Sequence, residues 1–160
     1  MLIRPAVPAD SASIWQVLEP TIRAGEAFAL EPDLNQREAL AYWFTFGNEV
    51  FVAEQAGSVI GTYFLRANLP GGGGHIANCG YMVAPAATGR GIAQAMCEHS
   101  LLHARERGFL AMQFNFVVST NERAILLWQR LGFETVGRLP KAFRHPSQGL
   151  VDALVMHRAL

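Results

Sequence analysis

The stretch Tyr81-Met82-Val83-Ala84-Pro85-Ala86-Ala87-Thr88-Gly89-Arg90-Gly91-Ile92-Ala93 constrains this chain more than any other. An apolar strand runs into a proline, then into a loop with glycine at alternate positions, then into a helix. Gly89 and Gly91 remove side chains where the helix begins. The N–H groups of its first turn are then bare, with the positive end of the helix dipole behind them. A terminus of that kind binds phosphate, and Arg90 adds a mobile positive charge. A pyrophosphate-bearing ligand is the simplest explanation. Taken alone, the pattern also suits any tight strand-to-helix turn. A dinucleotide fingerprint would want glycine at the position of Ala93 and an acidic ribose partner further on, and the sequence has neither.

The surrounding pattern is a single mixed α/β domain with a central, largely antiparallel sheet. Leu2–Arg4 reads as a strand. Asp10 or Ser11 caps a helix carrying Ile14, Trp15, Val17 and Leu18, which Glu19-Pro20 interrupts and Gly25 ends. A loose segment, Glu26–Leu34, leads to a helix over Gln36–Phe46, whose aromatics are expected in the core. Val50–Glu54 and Ser58–Arg66 form a hairpin about Gln55-Ala56-Gly57. The glycine run 71–74 reads as a mobile loop bordering a site. Strand Ile76–Val83, helix Gly91–Arg107 and strand Leu110–Val118 then make a parallel pair with a crossover helix. Ser119 and Glu122 match a capping box for a helix carrying Ile125, Trp128 and Leu131. Strands Phe133–Arg138 and Leu150–Met156 close the chain, joined by a Pro140–Gly149 loop.

Composition narrows the partners. Thirteen basic and 13 acidic residues give a net charge of zero, so no basic field recruits nucleic acid or a membrane surface. Any phosphate site must be local. Cys79 and Cys97 form neither a disulfide framework nor a metal set, which fits a reduced, cytoplasmic setting. No signal-peptide core or apolar run of about 20 residues is present. His99 and His103 lie one helical turn apart but lack a third ligand, so no metal is expected. His145 with Arg144, in the loop before the last strand, reads either as lining the acceptor pocket or a subunit contact, or as exposed loop charge, the commoner case.

A second segment decides between the readings of the first. Asn121-Glu122-Arg123-Ala124-Ile125-Leu126-Leu127-Trp128-Gln129-Arg130-Leu131-Gly132-Phe133 follows the strand paired with the glycine-loop strand. Here the chain resembles the GNAT superfamily of N-acetyltransferases. Gly91 and Ala93 match that family's glycine loop. Asn121, Ala124, Leu127, Leu131, Gly132 and Phe133 match its later segment. The resemblance covers essentially the whole chain and implies a GNAT fold: about seven strands, one splayed parallel pair, and about four helices. It also implies acetyl-coenzyme A as cosubstrate, and a homodimer by analogy.

By the same resemblance, N–H groups of Thr88, Gly89, Arg90, Gly91, Ile92 and Ala93 hold the pyrophosphate. Backbone of Met82 and Val83 pairs with the pantetheine arm, and Asn121, Ala124 and Trp128 lie beside it. A backbone N–H on the Tyr81–Val83 strand would polarise the thioester carbonyl. Thr88 stands where the family prefers Arg or Gln, and Trp128 where it often has the tyrosine that returns a proton to the thiolate. An indole N–H is no useful acid, so that role is vacant or falls to Tyr81 or water. No glutamate occupies Ile76–Val83, where many relatives keep a base; His75, Glu26 and Asp152 are the candidates.

Asn78 and Asn115 each interrupt an apolar strand of the splayed pair. Each either contacts the acceptor or serves a strand irregularity. Together with Asn121 and the ending Leu150–Ala153 they resemble a fungal subgroup that acetylates proline analogues. Phe28 and Glu26, in the loose segment, are further substrate candidates, and Asn115 is also a catalytic one. The expected activity is direct acetyl transfer from acetyl-coenzyme A to a small-molecule amine, an amino acid or analogue. The alternatives are acetylation of a protein N-terminus or lysine, and a non-catalytic acyl-coenzyme A sensor.

Overall fold

The computed structural model describes residues 1–160. Seven strands form one sheet in the order β1-β2-β3-β4-β5-β7-β6. They span Leu2–Pro5 (β1), Glu49–Gln55 (β2), Ser58–Ala67 (β3), Ile76–Val83 (β4), Ala111–Val118 (β5), Glu134–His145 (β6) and Gly149–Ala159 (β7). Every neighbouring pair is antiparallel except β4–β5. Four helices cover the two faces: Ser11–Ala24 (α1), Gln36–Trp43 (α2), Ile92–Glu106 (α3) and Glu122–Arg130 (α4). One core cluster lies under α3 and α4 and includes Met96, Met112 and Trp128. The other lies under α1 and α2 and includes Ile14, Leu18, Trp43 and Phe64.

The elements follow local chemistry. Ile14, Val17, Leu18 and Ile22 put one buried stripe on α1, and Gly25 at φ +62° ends it. Pro20 does not interrupt this helix. Pro20 and Gln16 are both exposed, so the Gln16 carbonyl that loses its amide partner faces water. The β2–β3 hairpin turns on Ala56 and Gly57, both at positive φ, with Gln55 opposite Ser58. This is the mirror-image two-residue turn that matches strand twist.

Other expectations are corrected. The second helix stops at Trp43, leaving Phe44 and Phe46 exposed. Ser119 does not cap α4: its N–H still pairs with the Asp152 carbonyl at 2.9 Å. Asn121 is the cap, accepting from the Ala124 N–H at 3.3 Å. The Pro140–Gly149 loop shrinks to three residues, because β6 continues to His145 through an irregularity in its pairing with β7. Asp152 holds that irregularity, accepting from the Lys141 N–H and from Arg138. The glycine run folds into a short 3-10 turn.

The sheet's decisive feature is where β4 and β5 part. Their pairing is confined to Ile76–Ala111 and Ala77–Met112, although each strand has eight residues. Beyond that point β5 is also irregular against β7, between Phe114 and Val117.

Candidate active site

Strand register decides which groups face the gap. The Ala84 N–H donates to the Ile60 carbonyl and the Asn68 N–H to the Ile76 carbonyl. In an antiparallel ladder these directly opposed bonds recur at every second residue. Asn78, Gly80 and Met82 therefore turn their main-chain groups to β3, while Cys79, Tyr81 and Val83 turn theirs to β5. The main-chain groups near Met82 that reach the gap are thus those of Tyr81 and Val83.

Asn78 marks the end of the parallel ladder. Its side-chain amide donates to the Gln113 carbonyl at 3.0 Å. That carbonyl belongs to the residue after the last pair, Ala77–Met112. A side chain takes an acceptor that continued strand pairing would have used. The gap that opens there is a cavity of about 660 Å³, running from the face of α1 and α2 to the start of α3.

At the far end of the cavity lies the glycine loop. Gly89 and Gly91 have φ of +83° and +79°, which glycine adopts without strain. A Cβ on Gly91 would meet nothing within 4 Å, and one on Gly89 only the Arg123 guanidinium. Gly91 caps α3 without any side-chain bond. The Thr88 N–H is engaged by the Pro85 carbonyl at 3.2 Å, and the first bond of the helix is from Ala95 to Gly91. The N–H groups from Gly89 to Gln94 have no well-formed protein acceptor between them. The open run starts one residue later than expected and extends one further. Arg90 is turned away to Gln55, and Arg123 of α4 is the cation over the loop.

Bare donors, a cation above them and a parted parallel pair are the geometry that a bound acyl-coenzyme A requires. The sequence matches the acetyltransferase (GNAT) family over residues 14–133. The chain belongs to that family. It is an N-acetyltransferase that depends on acetyl-coenzyme A. The GCN5-related N-acetyltransferase from Kribbella flavida is 41% identical, with TM-score 0.94 over 99% of this chain and 97% of that one. Ribosomal-protein-alanine N-acetyltransferase from Brucella melitensis is 26% identical, with TM-score 0.87 over the whole of both chains. N-acetyltransferase aca1 of Schizosaccharomyces pombe is 28% identical across 84% of this chain and 72% of that protein.

In this acetyltransferase the candidate residues distribute as follows. Asn121, Ala124 and Trp128 line the cavity. Trp128 packs against Tyr81 and Phe114, with ring centroids 5.3 and 5.1 Å away. Tyr81 also lines the cavity, but its hydroxyl lies 2.7 Å from Ser100 Oγ, and Ser100 donates onward to the Cys97 carbonyl. The Tyr81 proton is thereby directed into the core, and burial raises the group well above an ordinary tyrosine. Asn115 is an exposed part of the cavity wall, donating to Asn68 Oδ1 at 2.6 Å and accepting from Gln113. Phe28 lines the same cavity.

Glu26 opens instead on an adjoining cavity of about 530 Å³, which shares Thr21, Ala27, Val83, Thr88 and Asn121 with the first. Its wall includes His145, which is buried rather than exposed: Nδ1 accepts from the Ser147 and Gln148 N–H groups. That fixes the proton on Nε2 when the ring is neutral. His75 lines neither cavity. Nor does Asp152, whose carboxylate is held below its usual range by the Lys141 N–H and Arg138. His103 pairs with Glu49, and His99 with the Tyr63 hydroxyl. No cluster of three or more metal-ligating side chains is present.

Sequence reasoning missed three charged cavity residues, Arg66, Arg123 and Arg130. The first two carried a signal. Arg123 is a cation in the first turn of a helix, where the dipole disfavours one unless an anion is near. Arg66 shares a strand face with buried Phe64, so alternation points a charge toward covered space. The main cavity's wall has three arginines, the third being Arg130, and no Asp, Glu or His.

Proposed function

We propose that the protein transfers the acetyl group of acetyl-coenzyme A directly to the amine of a small molecule, an amino acid or an analogue of one. The observation that carries the size of the acceptor is at Gly25. A Cβ there would lie 3.5 Å from Pro32 and 3.8 Å from Pro146. The segment between α1 and α2 therefore meets the β6–β7 turn. Their approach at this point supports a small acceptor, since a polypeptide crossing there would need them to part; beyond it, Glu26 and His145 face the adjoining cavity of about 530 Å³.

The donors from Gly89 to Gln94, with Arg123, hold the pyrophosphate. The pantetheine arm enters the gap against the main chain of Tyr81 and Val83, and one N–H there polarises the thioester carbonyl. The amine lone pair attacks the carbonyl carbon. The new C–N bond forms, the C–S bond breaks, and the ammonium proton leaves to water. Thiols have a pKa near ~8.5, so coenzyme A departs as thiolate without an obligatory acid. Trp128 lines the cavity, and its indole N–H, which makes no hydrogen bond within the protein, would serve as a hydrogen-bond donor to the sulfur. With no carboxylate or imidazole on the main cavity wall, the acceptor arrives neutral, aided by burial, which lowers amine pKa values.

A protein amino terminus is the second reading, favoured by the full-length likeness to the Brucella ribosomal-protein-alanine enzyme. Free-thiol release with a panel of amino acids, simple amines and alanine-initiated peptides separates the two. The best small amine should exceed the best peptide by about tenfold or more in kcat/KM; the reverse order refutes the small-acceptor reading.

A further inference from the structure

Resting on the small-acceptor reading, we infer that the acceptor also carries an anionic group, a carboxylate, and that Arg66 recognises it. Arg66 is half-buried on β3 and lines the cavity on the side covered by α1 and α2. Its guanidinium carbon lies 5.1 Å from the Phe64 ring centre, and its Nε donates to Asn78 Oδ1 at 3.3 Å. The Asn78 amide is itself anchored on the Gln113 carbonyl. One edge of the guanidinium is thus fixed by a side chain that cannot rotate without losing its own partner. The two terminal nitrogens have no protein acceptor. That is the fork that takes a carboxylate through two parallel bonds.

Nothing else in the protein answers this charge. Arg66 belongs to none of the ion pairs, and the cavity wall holds no acidic side chain. A partly desolvated, unpaired guanidinium is costly unless a ligand supplies the counter-charge. The phosphates of coenzyme A do not reach it. Arg66 is level with Asn78 in the sheet, and the strand runs five residues, about 17 Å, from there to Val83 before the phosphate loop begins. The cavity therefore has an anion site at each end, with the Tyr81 main chain, where the acyl carbon is expected, between them. Asn78 lies three residues, about 10 Å, from Tyr81. Arg66 reaches back part of that distance, leaving a span that suits an amino acid.

The test pairs each amino acid with its carboxamide and its decarboxylated amine, following thiol release, with a matched aminophosphonate as a further arm. Wild-type protein should prefer the carboxylate by about tenfold or more in kcat/KM over both neutral counterparts. Arg66→Gln should remove the preference by raising KM for the carboxylate acceptor about tenfold or more. Its kcat and its KM for acetyl-coenzyme A should stay within a few-fold. Arg66→Lys should keep part of the preference, and it also serves if the Gln variant does not fold. Turnover of amines with no preference for the carboxylate, or a preference that survives both variants, overturns this inference and leaves the small-acceptor reading standing. A preference for the phosphonate overturns the carboxylate assignment. Turnover of peptides alone overturns both readings together.

Discussion

Replacement of Gly91 separates the two things that residue does. Its φ of +79° is a left-handed conformation, and a Cβ there would touch nothing. Gly91→Ala therefore meets strain without a clash, costing about 1–2 kcal/mol of stability, and should leave acetyl-coenzyme A binding within a few-fold. Gly91→Gln adds neutral bulk, and Gly91→Glu adds nearly the same bulk with a charge. A carboxylate at ~6 Å from a doubly charged pyrophosphate is repelled by about 1.4 kcal/mol even at the dielectric of water, and by about four times that at an effective dielectric of 20. The lower bound alone is tenfold in Kd. Calorimetric titration with acetyl-coenzyme A should rank Ala and Gln near the parent protein and Glu at least tenfold weaker. The gap between Glu and Gln should narrow as salt rises. Equal affinities for Glu and Gln would show that no anion lies over this turn, and the assignment of the Gly89–Gln94 donors would fail.

Other outcomes follow from particular contacts. Gly80→Ala would bring a Cβ to 2.7 Å from the Phe64 ring. The ring must move at a cost of about 1–3 kcal/mol, and because it carries Arg66, KM should rise for the acceptor more than for acetyl-coenzyme A in steady-state assays. Ala56 sits at φ +50° in the β2–β3 turn, where asparagine is favoured; Ala56→Asn should raise stability by roughly 0.5–1 kcal/mol in denaturant melts. His99 is held below the usual histidine value by burial and by neighbouring His103. The unfolded chain then binds the proton more tightly than the folded one, so stability should fall as pH drops through the ordinary histidine range near 6.5. His99→Gln should flatten that part of the curve, and an unchanged slope between wild type and variant would refute the assignment.

The legible part of this protein is its local chemistry. The glycine loop, Asn121 and the Leu-Gly-Phe segment announced the family, because each motif is complete within a few residues, although the sequence pattern puts the cap at Ser119 and the structure puts it at Asn121. The illegible part depends on pairing between distant strands. Which of Met82 and Val83 faces the gap is set by the Ile60–Ala84 register, and a shift of one residue reverses it. The length of β6 depends on Asp152, across the hairpin, receiving the Lys141 N–H. Pro20 misled for a different reason: proline's effect on a helix depends on whether the orphaned carbonyl meets water, and that is a property of the assembled surface. Asn78 was ambiguous between ligand contact and structural repair. The Asn78 amide makes the repair directly on the Gln113 carbonyl, and through it fixes Arg66.

The charge distribution ties the acceptor's chemistry to the reaction. An amine acceptor must lose its proton before attack, and the sulfur must leave with a negative charge. Before either substrate binds, the charged residues of the cavity are Arg66, Arg123 and Arg130, with the bare end of α3 at one extremity, and that positive potential disfavours ammonium relative to amine. The pyrophosphate and the acceptor's carboxylate neutralise it as they bind, so it acts on entry of the acceptor rather than on the departing sulfur. The same field would repel a simple cationic amine at the entrance, unless the acceptor brings a compensating anion. On the carboxylate reading, one electrostatic arrangement accounts for both features: the positive cavity favours entry of the amine in its neutral form, which lessens the need for a proton-accepting side chain, and it selects an acceptor that brings its own counter-charge.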